Sequence, residues 1–435
     1  MKLGTEPALT KNSYYEASVT RALSRGALCG DMDADVCVVG GGLAGLSAAL
    51  ELRARGFSVI VLEAKRVGWG ASGRNGGQVI AGLACDIGVI EKQLGPSAAK
   101  TVWDMTIEAI DLIHERRVKY KIDCDWQAGY MNAAVNAKKG RALAVSVEDM
   151  AKRYGYEQRF IPQSEVKQWI ASDRFAAMSH DAHSGHLHPL KYTLGLARAV
   201  EREGGIIFES TQVTGISPVT TSAPIRVHSR EGAVRCKHVL LAGNVYLDQV
   251  APSIATRIMP VGTYIVASER LARNRALSLI PARAAICDTN FVLDYFRLSA
   301  DDRVIFGGRV SYSAVTPMNL APSMRQRMLA VFPQLDDVAV EYAWGGFVDI
   351  TMNRAPDFGR LPSIDSNVYY LQGFSGHGLG LTGLAGKLAA EAIAGRAERF
   401  DLFASLKHRN FPGGRWLRTP ALVAAMAWFR LRDAV

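Results

Sequence analysis

One glycine pattern, set between two apolar runs, constrains this chain more than any other feature. Val36-Cys37-Val38-Val39 reads as a short strand covered on both faces and leads directly into Gly40-Gly41-Gly42-Leu43-Ala44-Gly45. Leu43, Leu46, Leu50 and Ala54 then recur at helical spacing until Gly56 stops the helix. A second apolar strand, 58–62, ends at Glu63. In such a β-α-β unit Gly40 permits the tight turn, Gly42 lets backbone approach a pyrophosphate, and Gly45 lets helix and strand pack closely. The helix start offers unpaired N–H groups and the positive end of its dipole to phosphate. Glu63 stands where a carboxylate accepts hydrogen bonds from ribose hydroxyls, and an acid there favours FAD or NAD over NADP.

Two further glycine-rich stretches continue the theme. In Gly68-Trp69-Gly70-Ala71-Ser72-Gly73-Arg74-Asn75-Gly76-Gly77-Gln78 small residues let backbone lie flat on a ligand, and Ser72, Arg74, Asn75 and Gln78 add polar groups. Near the other end, residues 367–371 read as a strand and Gly373-Phe374-Ser375-Gly376-His377-Gly378 as a turn. Leu381, Leu384, Leu388 and Ala389 then mark a helix whose start faces an anion. His377 either holds that turn or takes part in the chemistry.

Composition narrows the class. With 435 residues, 49% hydrophobic and 21% charged, the chain carries a real core, which excludes a disordered or small disulfide-stapled protein. Six scattered cysteines without a Cys-x-x-Cys pair suit a reducing compartment and supply no zinc-ribbon spacing; no metal site is expected. The start lacks an apolar signal core, and no uncharged apolar run reaches the roughly 18–20 residues of a membrane span. A cytoplasmic protein is expected. The net charge of +10 is spread among interleaved acids and bases, which argues against nucleic acid as a partner.

These motifs resemble the FAD-dependent D-amino-acid oxidase/sarcosine oxidase superfamily. Val38–Gly45, Gly70–Gly77 and Gly373–Gly378 carry the resemblance. It is closest to the branch that oxidises γ-glutamylputrescine, through Ser13–Ser18, Ile122–Asp125, Ser184–Leu190 and the tail motif Phe411-Pro412-Gly413-Gly414-Arg415. The resemblance implies noncovalent FAD. Gly40, Gly42, Leu43, Ala44, Gly45, Glu63, Ala64 and Lys65 hold its ADP half. Ala71, Ser72, Arg74, Asn75, Gly76, Gly77 and Gln78 run along its pyrophosphate and ring, with Val213 near adenine. Gly243, Gly346, Gly376, His377, Gly378 and Leu379 complete the cradle. No cysteine follows Cys287 and the 68–78 loop has no histidine, so the tethers used by some members are missing.

Two departures bear on substrate. The family's amino-acid oxidases carry an arginine where Val348 stands, and its sarcosine oxidases a lysine where Gly380 follows Leu379. An amine whose oxidised carbon bears no acid is therefore the expected small-molecule substrate. Asp349 either attracts a cationic amine or is a strand-end acid. His186 and His188 either border the site or cap the helix that Pro189 opens. Tyr264, Tyr295 and Arg297 are expected in the roof over the flavin, Arg297 as an anion anchor, with His377, Tyr264, Tyr295 and Arg297 as the catalytic set. The implied reaction moves a hydride from the amine carbon to flavin. The resulting imine hydrolyses to aldehyde and ammonia, and oxygen is reduced to hydrogen peroxide. The roof segment Arg303–Gly308 lacks the sarcosine oxidases' lysine, which leaves another electron acceptor open. The alternatives are an oxidase or dehydrogenase of a secondary or cyclic amino acid (pipecolate, iminodiacetate or sarcosine) and, from another class, a nucleic-acid-associated flavoprotein.

The expected fold is α/β: a Rossmann-like FAD-binding domain over 1–87, 185–257 and 345–435, interwoven with an antiparallel-sheet substrate domain over 88–184 and 258–344. The amphipathic stretch Leu422–Phe429 is expected to dock as a helix.

Overall fold

A strand covered on both faces needs apolar side chains pointing both ways, and Val36, Cys37, Val38 and Val39 supply them; all four are buried. The computed structural model describes residues 12–218, 224–290, 292–311 and 319–412, with backbone alone at 309–311. In it the strand Gly30–Val39 lies inside an eight-stranded sheet. Five strands run parallel in the order Asp365–Gln372, Gly232–Leu241, Gly30–Val39, Val59–Leu62, Ile206–Phe208. Asp357–Leu361 adds an antiparallel edge, and Gly215–Ser217 with Ile225–His228 form a ribbon on Gly232–Leu241.

The central strand starts six residues before its apolar run. Its exposed half carries Asp31, Asp33 and Asp35, which pair across the sheet with Arg226, Arg235 and Lys237 at 2.7, 2.7 and 2.9 Å. Alternating charge, not apolar content, extends this strand. The helix Leu43–Ala54 is buried along most of its length, under the helices Pro189–Arg202 and Gly378–Ile393. Small residues allow that depth: a Cβ at Gly386 would lie 2.6 Å from the Ala44 carbonyl oxygen.

The second sheet has nine strands. Its main path runs Val340–Thr351, Ile258–Ser268, Val304–Ser311, Tyr295–Leu298, Ala285–Asp288, Gln127–Ala134, Ala177–His186, Gln78–Val79, and Arg159–Ile161 joins Ala177–His186. All its pairs are antiparallel except Ala285–Asp288 with Gln127–Ala134. The helix Leu320–Val331 covers one face over a core rich in phenylalanine, including Phe296, Phe306 and Phe332. This is the expected α/β architecture, a Rossmann-like unit interwoven with an antiparallel sheet. Residue 345 falls inside the strand Val340–Thr351, which pairs with Ile258–Ser268 along its length; the chain rejoins the parallel sheet only at Asp357. The stretch Leu422–Phe429 and the Gly413–Arg415 part of the tail motif lie outside the described residues.

Candidate active site

The three glycine-rich segments meet around one cavity of about 390 Å³. Gly42, Leu43 and Ala44 enter it from the first turn. Ala71, Ser72, Arg74, Asn75, Gly76 and Gln78 come from the long loop, and Gly376, His377, Gly378 and Leu379 from the third turn; Gly346 also lines it. The first turn is built by close approach. Gly40 has φ +116°, and a Cβ there would sit 2.5 Å from the Ala242 carbonyl oxygen. Gly45 packs against the same turn. Ser72 Oγ accepts from Leu43 N at 2.9 Å, so the loop's serine meets the helix start. Glu63 lies off the cavity and accepts from Gly41 N and Lys65 N, both at 2.8 Å; burial pushes its carboxyl above the usual range. A carboxylate has lone pairs beyond these two bonds. Ala64 and Lys65 are exposed beside it. Val213 is buried with the core on one face of the parallel sheet, and Gly243 lies against Leu247 between the cavity residues Ala242 and Asn244.

The long loop is held from within and from behind. Asn75 Nδ2 donates to the carbonyls of Ala71 and Ser72, and its Oδ1 accepts from Gly77 N. The Arg74 guanidinium lies 4.2 Å from the Trp69 ring centroid, and Trp344 Nε1 donates to the Arg74 carbonyl. Gln78 Nε2 reaches the Ile286 carbonyl at 3.2 Å.

Arg297 corrects the sequence expectation. It does not line the cavity. Its Nε donates to the Gly76 carbonyl at 2.7 Å, its Nη2 to Tyr15 Oη and the Leu187 carbonyl at 3.0 and 3.2 Å, and its Nη1 to the Leu298 carbonyl. The guanidinium is committed to backbone and to Tyr15 of the short helix Tyr14–Ala17, so it is a brace for the loop and not an anion anchor. Gly77 leaves it that room, since a Cβ there would press on the guanidinium. Tyr264 is a second correction. Val261 and Thr263 line the cavity from the strand Ile258–Ser268, so Tyr264 points the other way, into the phenylalanine core. Tyr295 does line the cavity; its ring leaves no room for a Cβ at Gly76, where one would come within 2.6 Å.

Asp349 governs the third turn. Its Oδ2 accepts from Gly373 N at 2.6 Å, and its carbonyl accepts from Ser375 N. Burial pushes this carboxyl up to about 7, against the backbone N–H groups that favour its charged form. Of its two sequence readings, the strand-end acid fits the bonds it makes, although it also lines the cavity. His377 lines the cavity and caps nothing with its side chain. Its Nε2 lies 3.1 Å from the Ile80 carbonyl, an acceptor only, so that nitrogen carries the proton. Burial lowers its pKa and keeps the ring neutral. His186 and His188 do not line the cavity: His186 bonds the Arg283 carbonyl, and His188 caps Pro189–Arg202 while contacting Ser18 Oγ.

The sequence reading missed Asn244 and Thr382. Asn244 Oδ1 and Thr382 Oγ1 are buried, line the cavity and have no hydrogen-bond partner within the protein. Buried polar atoms of this kind are normally satisfied, and a polar ligand in the cavity would supply the missing partners. Asn244 follows a buried parallel strand and a glycine, the same signal as the first turn; Thr382 carries no sequence signal beyond its place one turn into a helix. The second sheet contributes an apolar wall that includes Tyr130, Cys287, Val292 and Leu293. The lining residues described on its strands and on the connection from Asp288 to Tyr295 include no lysine, arginine or histidine. Arg354, from the turn after Val340–Thr351, lines the cavity with φ +59°.

The chain is similar to known proteins over most of its length. Residues 35–392 match the family model described as DAO, FAD dependent oxidoreductase. The chain is 44% identical to gamma-glutamylputrescine oxidoreductase of Escherichia coli (strain K12), over 97% of this chain and 98% of that protein. It is 41% identical to the probable oxidoreductase OrdL of Haemophilus influenzae, over 97% of each. Among solved structures, glycine oxidase from Bacillus cereus superposes with a TM-score of 0.71 at 21% identity, covering 86% of this chain and 99% of that one.

Proposed function

We propose a function from one premise: the chain belongs to the DAO family of FAD-dependent oxidoreductases. Its reaction is the oxidation of an aliphatic amine of the γ-glutamylputrescine type to an imine, which water converts to aldehyde and ammonia, with dioxygen taken up and hydrogen peroxide released. FAD, when bound, supplies the acceptor for the hydride that leaves the amine carbon.

The observation that carries this reading is that, among the described residues, the second sheet brings no lysine, arginine or histidine to the cavity. A carboxylate beside the reacting carbon would be buried there without a partner, at a cost of roughly several kcal/mol. An amine with a plain methylene neighbour meets no such cost. The apolar stretch of that wall at Cys287, Val292 and Leu293 favours the neutral amine, the form able to release a hydride, because desolvation disfavours an ammonium. The similarity to an Escherichia coli protein named for γ-glutamylputrescine supports the choice within aliphatic amines.

The chain's own residues have the following parts in this reading. The first turn, Ser72 and Arg74 hold the pyrophosphate, and Asn244 and Thr382 give the cofactor the partners their buried oxygens lack. Asp349 and His377 fix the turn so that the helix Gly378–Ile393 presents its N-terminus to developing negative charge. Tyr295 and the Val292–Leu293 edge orient substrate. Cofactor binding is noncovalent: Cys287 lines the cavity, but burial pushes its thiol up to about 12, far from a reactive thiolate.

Arg354 favours a second reading, oxidation of a secondary or cyclic amino acid, since a cation at the cavity suits a carboxylate. A peroxide-coupled screen separates the two. Turnover of γ-glutamylputrescine well above that of pipecolate, iminodiacetate and sarcosine is expected; the opposite order rejects the amine reading.

A further inference from the structure

We infer that Arg174 and Arg327 are positioning residues for the substrate compartment, pinning from outside the connection whose inner side forms its wall. The inference rests on the amine-site reading above. The connection joins the strands Ala285–Asp288 and Tyr295–Leu298. Cys287, Val292, Leu293 and Tyr295 present it to the cavity.

Its two ends are closed by buried acids. Asp288 N donates to the Asp294 carbonyl at 2.8 Å, and Asp288 Oδ1 accepts from Asn290 N and Asp294 N at 3.0 and 3.1 Å. Both aspartates are almost fully buried. Burial and the neighbouring Asp294 charge raise the Asp288 carboxyl above its usual range, and burial raises that of Asp294. Two guanidiniums answer this. Arg174 Nη2 lies 3.2 Å from Asp288 Oδ2 and 3.2 Å from Asp294 Oδ2. Arg327 places Nε and Nη2 at 2.8 and 2.7 Å from Asp294 Oδ1. Lys139 Nζ adds a bond to Asn290 Oδ1 at 2.8 Å.

The cations arrive from separate elements: Arg174 from the segment before Ala177–His186, Arg327 from the helix Leu320–Val331, and Lys139 from the helix Ala137–Tyr154. Neither arginine lines the cavity, so neither touches a ligand there. Asp294 also sits where a side chain at Gly308 would have to go, which locks the connection to the neighbouring strand Val304–Ser311. Two acids and two guanidiniums balance in charge, and removal of either cation leaves a buried carboxylate uncompensated. The wall then loses its fixed place.

Thiol labelling reads the wall without a substrate, because Cys287 lies at its foot. Holoenzyme and the variants Arg327→Met, Arg174→Met and Arg327→Lys are exposed to N-ethylmaleimide, and each cysteine peptide is quantified by mass spectrometry. Cys287 should label about tenfold faster in both methionine variants, with partial rescue in Arg327→Lys and no change at Cys236 in the parallel-sheet core. In turnover, KM for the amine should rise about fivefold while kcat stays within about twofold. Wild-type labelling of Cys287 in both methionine variants overturns the inference. Labelling of Cys236 that keeps pace with Cys287 also overturns it, since the arginines then serve global stability. If wild-type enzyme oxidises no amine, the proposed function falls, while the labelling still judges the pin.

Discussion

Arg297 and Asp349 are buried ionisable groups that spend most of their hydrogen bonds on backbone, and each holds a glycine-rich segment against the cavity. Arg297 supports the Gly76 carbonyl, so its loss leaves that oxygen without its donor at a cost of roughly 1–3 kcal/mol, felt in the loop beside the ligand. Arg297→Met should therefore weaken FAD binding by about tenfold or more. Fluorescence titration of apoprotein measures this; unchanged affinity with loss of amine binding would restore the anion-anchor role. Asp349 has its folded-state pKa raised to about 7, above the unfolded carboxyl value. A raised acid stabilises the fold fully below its unfolded pKa, and that stability is lost as pH rises through about 7. Asp349→Asn removes the titration, so the stability of the variant relative to wild type should grow between pH 5 and 8 by on the order of a few kcal/mol. Denaturant melts across that range check it, and parallel curves contradict it. At this scale the sequence spoke unevenly. The residue types at Tyr295 and Tyr264 look alike, and only strand parity sends one into the cavity and the other into the core.

The first and third glycine-rich turns were legible as elements because each stands between an apolar strand and a helical repeat, and the backbone geometry leaves no substitute at Gly40. The charged half of Gly30–Val39 was not legible, since its stability comes from pairs with residues about two hundred positions away. The crossing of Leu43–Ala54 with Gly378–Ile393 was equally hidden: a glycine inside a helix reads as a weak position until its neighbour is known. Gly386→Ala should cost about 1–3 kcal/mol by forcing those helices apart. Gly26→Ala, with open space around it, is the control that should change little. Thermal or denaturant unfolding of the pair decides; equal stability would show that the crossing yields easily.

At the scale of the whole molecule, two sheets exchange chain several times, and the cavity lies where residues of both meet. We propose that the parallel sheet with its helices forms the cofactor domain and the antiparallel sheet the substrate domain. The family and architecture could be read from the motifs. The twelve-residue strand Val340–Thr351 runs through residue 345 without a change in composition. Among the described residues no helix is long and apolar enough to cross a membrane. A noncovalent cofactor predicts that acid precipitation leaves the yellow colour in the supernatant; colour kept in the pellet would reveal a tether. The most direct test of the account is anaerobic titration of the purified holoenzyme with γ-glutamylputrescine, followed by the flavin absorbance. Stoichiometric bleaching by this amine, with none by pipecolate or sarcosine at equal concentration, is the result predicted. A flavin band untouched by the amine but bleached by the amino acids would contradict it.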